Sequence, residues 1–463
     1  MTGPQRKMGA LLRRSVVFPA YWRLVKHSAV LRYYKELERQ QWYTLDRSRA
    51  IQARRLYFLL KYAAENIPYY KKVAQDRGIK LSEDRVFDDL KKFPLLTKSL
   101  IHKHFNELYH FRDKSYYRAY TSGSTGEPIQ FYQDRESTAK ARAVIVLFDD
   151  WSGYRIGERK LLIWPTDRDS PDWGHPKMQQ VRNFVRNYRW IDPRKLNPRE
   201  THSYVESINT FGPVQILGLA ESVFRLSEFI ERDGLEVHPP KAVMTGGDTL
   251  HAHMREGIER VFHAPLFNRY GSNEVNGVAC ECERHQGLHI AMPIQYVEVV
   301  PSDGMDVAAS PDEGEVVVTS LANYTMPLIR YRIEDMASWG KACNCGRGWL
   351  VLKKVTGRTS DYFRLKDGTL VRIDVTWFAN YPWIRKFQMI QEDFDYVRLL
   401  VVPRETGPRQ VPARTDLDKI TLKIQELMGD TCKVEIQTVK KIPPSPLGKH
   451  RFRISKVQQM GGP

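Results

Sequence analysis

Between about residue 115 and residue 355, short apolar runs recur between longer stretches with helical spacing. The runs are Lys160–Trp164 (KLLIW), Val214–Leu219 (VQILGL), Ala242–Met244, Gln295–Val300 and Gly314–Thr319. Each is too short for a buried helix and reads as a strand covered on both faces. Strands alternating with helices need crossover connections, which makes the body an α/β fold around a mainly parallel sheet. Of 463 residues, 42% are hydrophobic and 11% aromatic, enough for a real core and inconsistent with disorder over most of the chain. Five cysteines exclude a disulfide-dense scaffold. No run of about 20 apolar residues occurs, so no membrane-spanning helix is expected.

Two flanking regions differ in texture. Residues 8–65 have helical spacing, with helices predicted over 49–66 (ended by Ile67-Pro68), near 82–92 and over Thr97–Glu107, capped by Thr97. After about residue 355 strand-like runs are denser and close with a helix over Asp416–Leu427, as in a small α+β domain. The expected organisation is a basic helical extension (1–85), a core domain (86–357) and a small C-terminal domain (358–463).

The net charge of +18 is concentrated at the start. Residues 1–80 hold 18 Lys and Arg against 5 Asp and Glu, and the first acid is Glu36. A nucleic-acid binder carries its excess on the binding domain, so no nucleic-acid partner is expected. Arg13, Arg14, Pro19 and Arg23 break the early apolar runs, unlike a signal peptide, and the expected compartment is the cytoplasm. The leading segment reads either as a lead-in that packs its apolar side on the protein or as a peripheral contact, through residues 1–40, with the inner face of an anionic membrane.

The sharpest local feature is Tyr120-Thr-Ser-Gly-Ser-Thr-Gly-Glu-Pro128, in which six of nine positions are Ser, Thr or Gly. Glycines let amides converge on one point and hydroxyls add donors, which suits a polyphosphate. No Lys follows the second Gly, so this is not a Walker loop.

A second cluster is metal-like. Cys280, Cys282, Cys343 and Cys345 form two Cys-x-Cys pairs, with His285 and His289 beside the first. Thiolates and imidazole in a set of four suit a structural Zn²⁺. The expected ligands are Cys282, His285, Cys343 and Cys345, with Cys280 as alternate; reduced, partly buried thiols are the other reading. Cys432 stands apart as a core residue.

The loop, together with Thr245-Gly246-Gly247-Asp248, Tyr270-Gly271-Ser272-Asn273-Glu274, Met326-Pro-Leu-Ile-Arg-Tyr-Arg-Ile-Glu-Asp335, Gly357-Arg358 and Ile442–Arg453 around Lys449, falls in one order. That series resembles the adenylate-forming (acyl-CoA synthetase-like) superfamily. The opening AAENIPYYKK and LKKFPLLTKSLI resemble its phenylacetate–CoA ligase and CapK-like capsule-biosynthesis branch. The resemblance implies a large α/β domain plus a small mobile α+β C-terminal domain, and activation of a carboxylic acid by ATP with Mg²⁺. It implies that Thr121, Ser122, Gly123, Ser124, Thr125 and Gly126 hold phosphates and that Glu274 carries Mg²⁺. Gly246, Gly247, Asp248, Tyr270, Gly271, Ser272, Asp335 and Arg358 would surround the nucleotide, and Lys449 would bridge carboxylate and α-phosphate. The sequence departs from the pattern where Ile333-Glu334 replaces Thr-Gly, where Asn273 replaces Thr, and at the hinge, Ser360 and Asp361. The expected product is an acyl-adenylate passed to a thiol, CoA or a carrier, or to an amine in surface-polysaccharide or natural-product synthesis. A non-catalytic nucleotide-binding homologue is the remaining alternative. Trp151, Trp164, Trp173 and Phe224 are candidate acyl-pocket aromatics.

Overall fold

The computed structural model describes residues 16–17, 20, 29–111, 116–120, 129–165, 183–301, 313–358, 363–367, 370–371, 373, 378, 381, 383–404, 414–443 and 452–457. Two compact units emerge. The first comprises Met1–Glu298, Val316–Ile333 and Ser338–Val355, the second Val299–Glu315, Glu334–Ala337 and Thr356–Pro463.

Helices α1 (Val30–Gln40), α2 (Leu45–Asn66), α3 (Pro68–Asp76), α4 (Val86–Lys91) and α5 (Lys98–Lys103) open the first unit. The Thr44 hydroxyl caps α2 by accepting from the Arg47 amide. The helix stops at Ile67, which is extended because the following proline disfavours helical backbone there, and Pro68 then starts α3. Leu56, Leu59, Leu60 and Ala63 recur at helical spacing and are fully buried. These helices group with the sheet in one unit.

Strands β1 (Tyr116–Tyr120) and β2 (Gln130–Asp134) form an antiparallel hairpin with Tyr120 opposite Gln130. The chain continues through α6 (Arg135–Trp151), β3 (Lys160–Ile163), β4 (Tyr188–Ile191), α7 (Thr201–Phe211), β5 (Gln215–Gly218), α8 (Ala220–Arg232), β6 (Ala242–Gly246), α9 (Ala252–Phe262) and β7 (Leu266–Ser272). Then follow β8 (Asn276–Glu281), β9 (Leu288–Ile290), β10 (Gln295–Val300), β11 (Glu313–Ser320), β12 (Tyr331–Trp339) and β13 (Val351–Arg358). The sheet order is β10-β11-β12-β13-β9-β8-β7-β6-β5-β3-β4. β4, β3, β5, β6 and β7 run parallel, whereas β8 is antiparallel to β7. β3, β5 and β6 are buried at every position, as continuous apolar runs require.

The second unit has a short hairpin, β14 (Phe363–Arg364) with β15 (Leu370–Val371), and a four-stranded sheet. Its elements are β16 (Ile384–Asp393), β17 (Tyr396–Pro403), α10 (Arg414–Met428), β18 (Lys433–Thr438) and β19 (Arg453–Ser455), in the order β18-β17-β16-β19. Ile420, Ile424 and Met428 of α10 share a buried cluster with Phe387, Met389, Leu399, Val401 and Cys432. Among the described residues no helix is long and apolar enough to cross a membrane.

A buried ion pair joins the end of α6 to the start of β3. Lys160 Nζ lies 2.5 Å from Asp149 Oδ2, with the lysine 1% exposed and its ammonium 4.1 Å from the Tyr154 ring. Removing one partner strands a charge away from water. Asp149→Ala and Lys160→Ala are each expected to lower unfolding free energy by about 3–5 kcal/mol in urea titrations.

Candidate active site and metal centre

Open α/β sheets place ligands beyond the carboxyl ends of their strands. Here Trp164 follows β3, Leu219 follows β5, Gly246 ends β6 and Ser272 ends β7. Gly247 has φ +81°, and a Cβ there would lie 2.9 Å from Leu219 and 3.0 Å from Trp164, so the turn presses on both neighbouring strand ends. A Cβ on Gly271 would meet the Asn276 carbonyl oxygen at 2.1 Å, which lets β7 fold tightly back into β8. Among the described residues, Thr245 Oγ1 and Ser272 Oγ, at the ends of β6 and β7, are buried without a hydrogen-bond partner and are suited to a polar ligand. Asp248, expected on the nucleotide side, turns its carboxylate to the start of α8: Oδ1 accepts from Ala220 N at 2.6 Å and Oδ2 from Glu221 N at 3.3 Å.

Glu274 lies in the turn between β7 and β8, and its Oε1 accepts from the Tyr331 hydroxyl at 2.9 Å. Gln133 Nε2 donates to the carbonyls of Asn273 and Glu274 at 3.3 and 3.4 Å, tying that turn to β2. Asn323 Nδ2 donates to Tyr132 O at 2.8 Å and to Met326 O at 3.0 Å, tying β2 to the segment before Tyr331. The opening helices hold that segment from the other side. Tyr70 Oη donates to Pro327 O at 2.8 Å and accepts from Ile329 N at 3.2 Å, and Leu96 exchanges backbone hydrogen bonds with Arg330 and Arg332. Arg330 forks onto Glu298 at 3.0 and 3.1 Å and reaches Phe93 O at 2.9 Å.

Thr121, Ser122, Gly123, Ser124, Thr125, Gly126, Trp173, Ser360, Asp361 and Lys449 lie outside the described residues. The loop's flanks are nonetheless defined, since Tyr120 and Gln130 pair across the hairpin. Asp335 is on β12 and Arg358 is the last residue of β13, both within the second unit. Glu334, where the resembled motif has glycine, holds φ +69°. A side chain in that left-handed region costs about 1–2 kcal/mol.

The metal cluster differs from the expected set by one residue. Donor atoms of Cys282, His289, Cys343 and Cys345 all lie within 4.8 Å of one another. Cys282 Sγ is 3.7 Å from Cys343 Sγ, and Cys345 Sγ is 3.4 Å from His289 Nε2. A tetrahedral ion with arms of about 2.3 Å to sulfur gives edges of about 3.8 Å, so the set fits Zn²⁺. His285 instead meets Glu281 Oε2 at 3.2 Å and packs on Phe267. Cys280 is buried opposite Arg269 and His289 and is outside the group. The reason is strand pairing: β9 is antiparallel to β8 and to β13, and this register carries His289 to the Cys343–Cys345 loop, whereas His285 stays in the intervening turn.

Burial pushes the Cys282 thiol up to about 12 and also raises Cys343. Burial opposes the Cys345 thiolate too, but the amide and guanidinium of Arg347 outweigh it and lower its pKa. Burial, then Arg347, hold His289 at about 4, leaving a neutral imidazole, as a ligand requires. Arg347 joins this knuckle to the end of α1. It donates to Gln41 Oε1 at 2.9 Å, forks onto Glu283 at 2.9 Å, and lies between the Trp42 and Trp151 rings, 4.7 and 4.8 Å from their centroids. Trp151 thus belongs to the knuckle, not to an acyl pocket.

Residues 367–456 match the CapK C-terminal domain family. Protein CapK of Staphylococcus aureus is 22% identical over 434 residues, covering 92% of this chain and 93% of that one. Phenylacetate-coenzyme A ligase of Aromatoleum evansii is 25% identical over 412 residues, covering 84% and 90%. The fold is shared with 2-hydroxyisobutyryl-CoA ligase in the postadenylation state, at TM-score 0.66 and 17% identity, over 90% of this chain and 91% of that one. The chain is thus similar to CapK and to phenylacetate–CoA ligase over most of its length, carries a match to the CapK C-terminal domain, and shares the fold of an acyl-CoA ligase.

Sequence reasoning missed Gln133, Asn323 and the contact made by Tyr331, and of the two histidines it noted it chose His285 over His289. Tyr331 sits inside the Met326–Asp335 motif, so a signal existed; Gln133 and Asn323 act through backbone carbonyls and leave none. For the metal set, His289→Ala and Cys282→Ser are expected to lose bound zinc while His285→Ala keeps it, measured by metal analysis of protein purified without chelator. In chelated protein, His289 is harder to protonate folded than unfolded. Its stability contribution is therefore present above about pH 6.5 and is lost as pH falls to about 4, a slope that His289→Asn should flatten in denaturation curves.

Proposed function

We propose that the chain activates a carboxylic acid as an acyl-adenylate and then transfers the acyl group to a thiol, CoA or a carrier. A carboxylate oxygen attacks the α-phosphorus of ATP, the bond to the bridging oxygen of the β-phosphate breaks, and pyrophosphate leaves. The observation that carries this reading is the tie between Gln133 and the Glu274 turn, which fastens the strand leading out of the Ser/Thr/Gly loop to the expected magnesium carboxylate. The names of the similar ligases, and the acyl-AMP in one of them, support it.

In this scheme residues 121–126 cradle the β- and γ-phosphates. Glu274, oriented by Tyr331, would offer a hard oxygen to Mg²⁺, an ion that would supply positive charge at the phosphates. Asp335 accepts from the ribose hydroxyls with Arg358 nearby, and Tyr270 stacks on adenine. Trp164 and Leu219 line the acid side of the Gly246-Gly247 turn. Lys449 supplies a point charge between carboxylate and α-phosphate. Cys282, His289, Cys343 and Cys345 hold a structural zinc that takes no part in the chemistry.

A second reading has the same first step with an amine acceptor. The CapK C-terminal domain match falls on the segment that would admit the acceptor, and the hinge departs from the pattern at Ser360 and Asp361. Pyrophosphate release across a panel of carboxylic acids is expected for at least one acid, and Lys449→Ala and Glu274→Gln should each lower the rate by about a hundredfold or more. CoA-dependent thioester formation supports the first reading, and amide formation without CoA supports the second. No release with any acid would leave only a non-catalytic nucleotide-binding protein.

A further inference from the structure

The basic opening has no place in that chemistry, and the structure shows how part of it is displayed. α1 buries Val30, Leu37 and Gln40, while Arg32, Lys35, Arg39 and Trp42 are exposed. Arg32, Lys35 and Arg39 recur at i, i+3 and i+7 along the helix, with the exposed Glu38 beside them, and Trp42 follows just beyond its end. On α2, Arg47, Arg54, Phe58 and Lys61 are likewise exposed at i, i+7, i+11 and i+14, with Glu65 one turn beyond. Among the described residues, none of the six cations forms an ion pair. The two rings are 52% and 47% exposed. Trp42 is nevertheless fixed, because one face lies against Arg347, itself 9% exposed and anchored by Glu283 and Gln41. A buried arginine thus holds an aromatic ring half in solvent, beside a row of cations that form no ion pair among the described residues.

We propose that this outer side of α1 and α2 docks on an anionic phospholipid surface. Cations would sit at phosphate depth and Trp42 and Phe58 at the interface, where aromatic rings are favoured. Single-stranded nucleic acid is gripped by a groove lined with successive stacking platforms; two helix faces with isolated rings fit a flat surface better. The residues before Ala29 add six Lys and Arg and no acid, of the same sign. Because α1 and α2 bury their apolar sides in the protein, attachment by this face is electrostatic and reversible. The proposal is independent of the adenylation reading.

The test is co-sedimentation of full-length protein with vesicles of phosphatidylcholine alone or mixed with phosphatidylglycerol. Binding is expected only with the mixed vesicles and should weaken as salt rises. At about 1 kcal/mol per cation, R32Q/K35Q/R39Q and R47Q/R54Q/K61Q should each weaken partitioning about a hundredfold. Circular dichroism and pyrophosphate release should stay unchanged in both. Trp42→Ala should weaken binding without changing the salt slope. R13Q/R14Q/R23Q is the comparator for the preceding segment. Equal binding to both vesicle types would overturn the proposal. So would loss only in the comparator while both triple variants bind like wild type, or tighter binding to a labelled oligonucleotide than to anionic vesicles at the same salt.

Discussion

The first unit depends on satisfying the backbone of one irregular segment, Asn323–Arg332. It carries Tyr331 to Glu274 and is mostly buried, so each of its carbonyls and amides needs a partner. Two other parts of the chain supply partners, Tyr70 from α3 and Leu96 from the connector before α5, and the segment's own Asn323 side chain bonds Met326 O while also gripping β2. The opening helices are therefore part of the site's scaffold. An unpaired buried amide or carbonyl costs about 1–3 kcal/mol, which is why a loop-like stretch can be held this rigidly.

The cysteine knuckle fastens a different corner. Cys282 follows β8, His289 lies on β9, and Cys343 and Cys345 precede β13, so four donors pin three consecutive neighbours in the sheet order. Arg347 extends the same corner to the end of α1 through Gln41 and Trp42. Of the three thiols that face one another, Arg347 favours the thiolate only of Cys345, while burial disfavours it at Cys282 and Cys343, an electrostatic situation that a divalent ion resolves. Among the described residues the group holds four donors and no fifth, which has the character of a closed structural centre.

Much of the architecture was legible from local rules. KLLIW and VQILGL are strands because an apolar run bounded by polar turns has only the sheet interior to fill, and Ile67-Pro68 ends a helix for steric reasons that need no partner. The helix expected over Asp416–Leu427 appears as Arg414–Met428, since its apolar spacing already marked the buried side. The ordered glycine- and carboxylate-bearing motifs pointed to the strand ends of β6 and β7. What local rules missed were long-range pairings. His285 is nearer Cys282 in sequence, but antiparallel register delivers His289. Asp248 looks like a ligand carboxylate, but the amides at the start of α8 are closer. Glu334 takes a backbone conformation that its identity gave no reason to expect.

By itself, then, the sequence determined the α/β class, the helical opening and the small C-terminal α+β unit, because spacing and residue type constrain backbone geometry locally. Only the tertiary structure decided which histidine joins the cysteines, which side chains orient Glu274, and which side of the basic helices faces solvent. Those outcomes depend on contacts between residues far apart in the chain, such as Gln133 with Glu274 and Arg347 with Gln41. No local propensity encodes such contacts, because they exist only once the sheet order and register have brought the segments together.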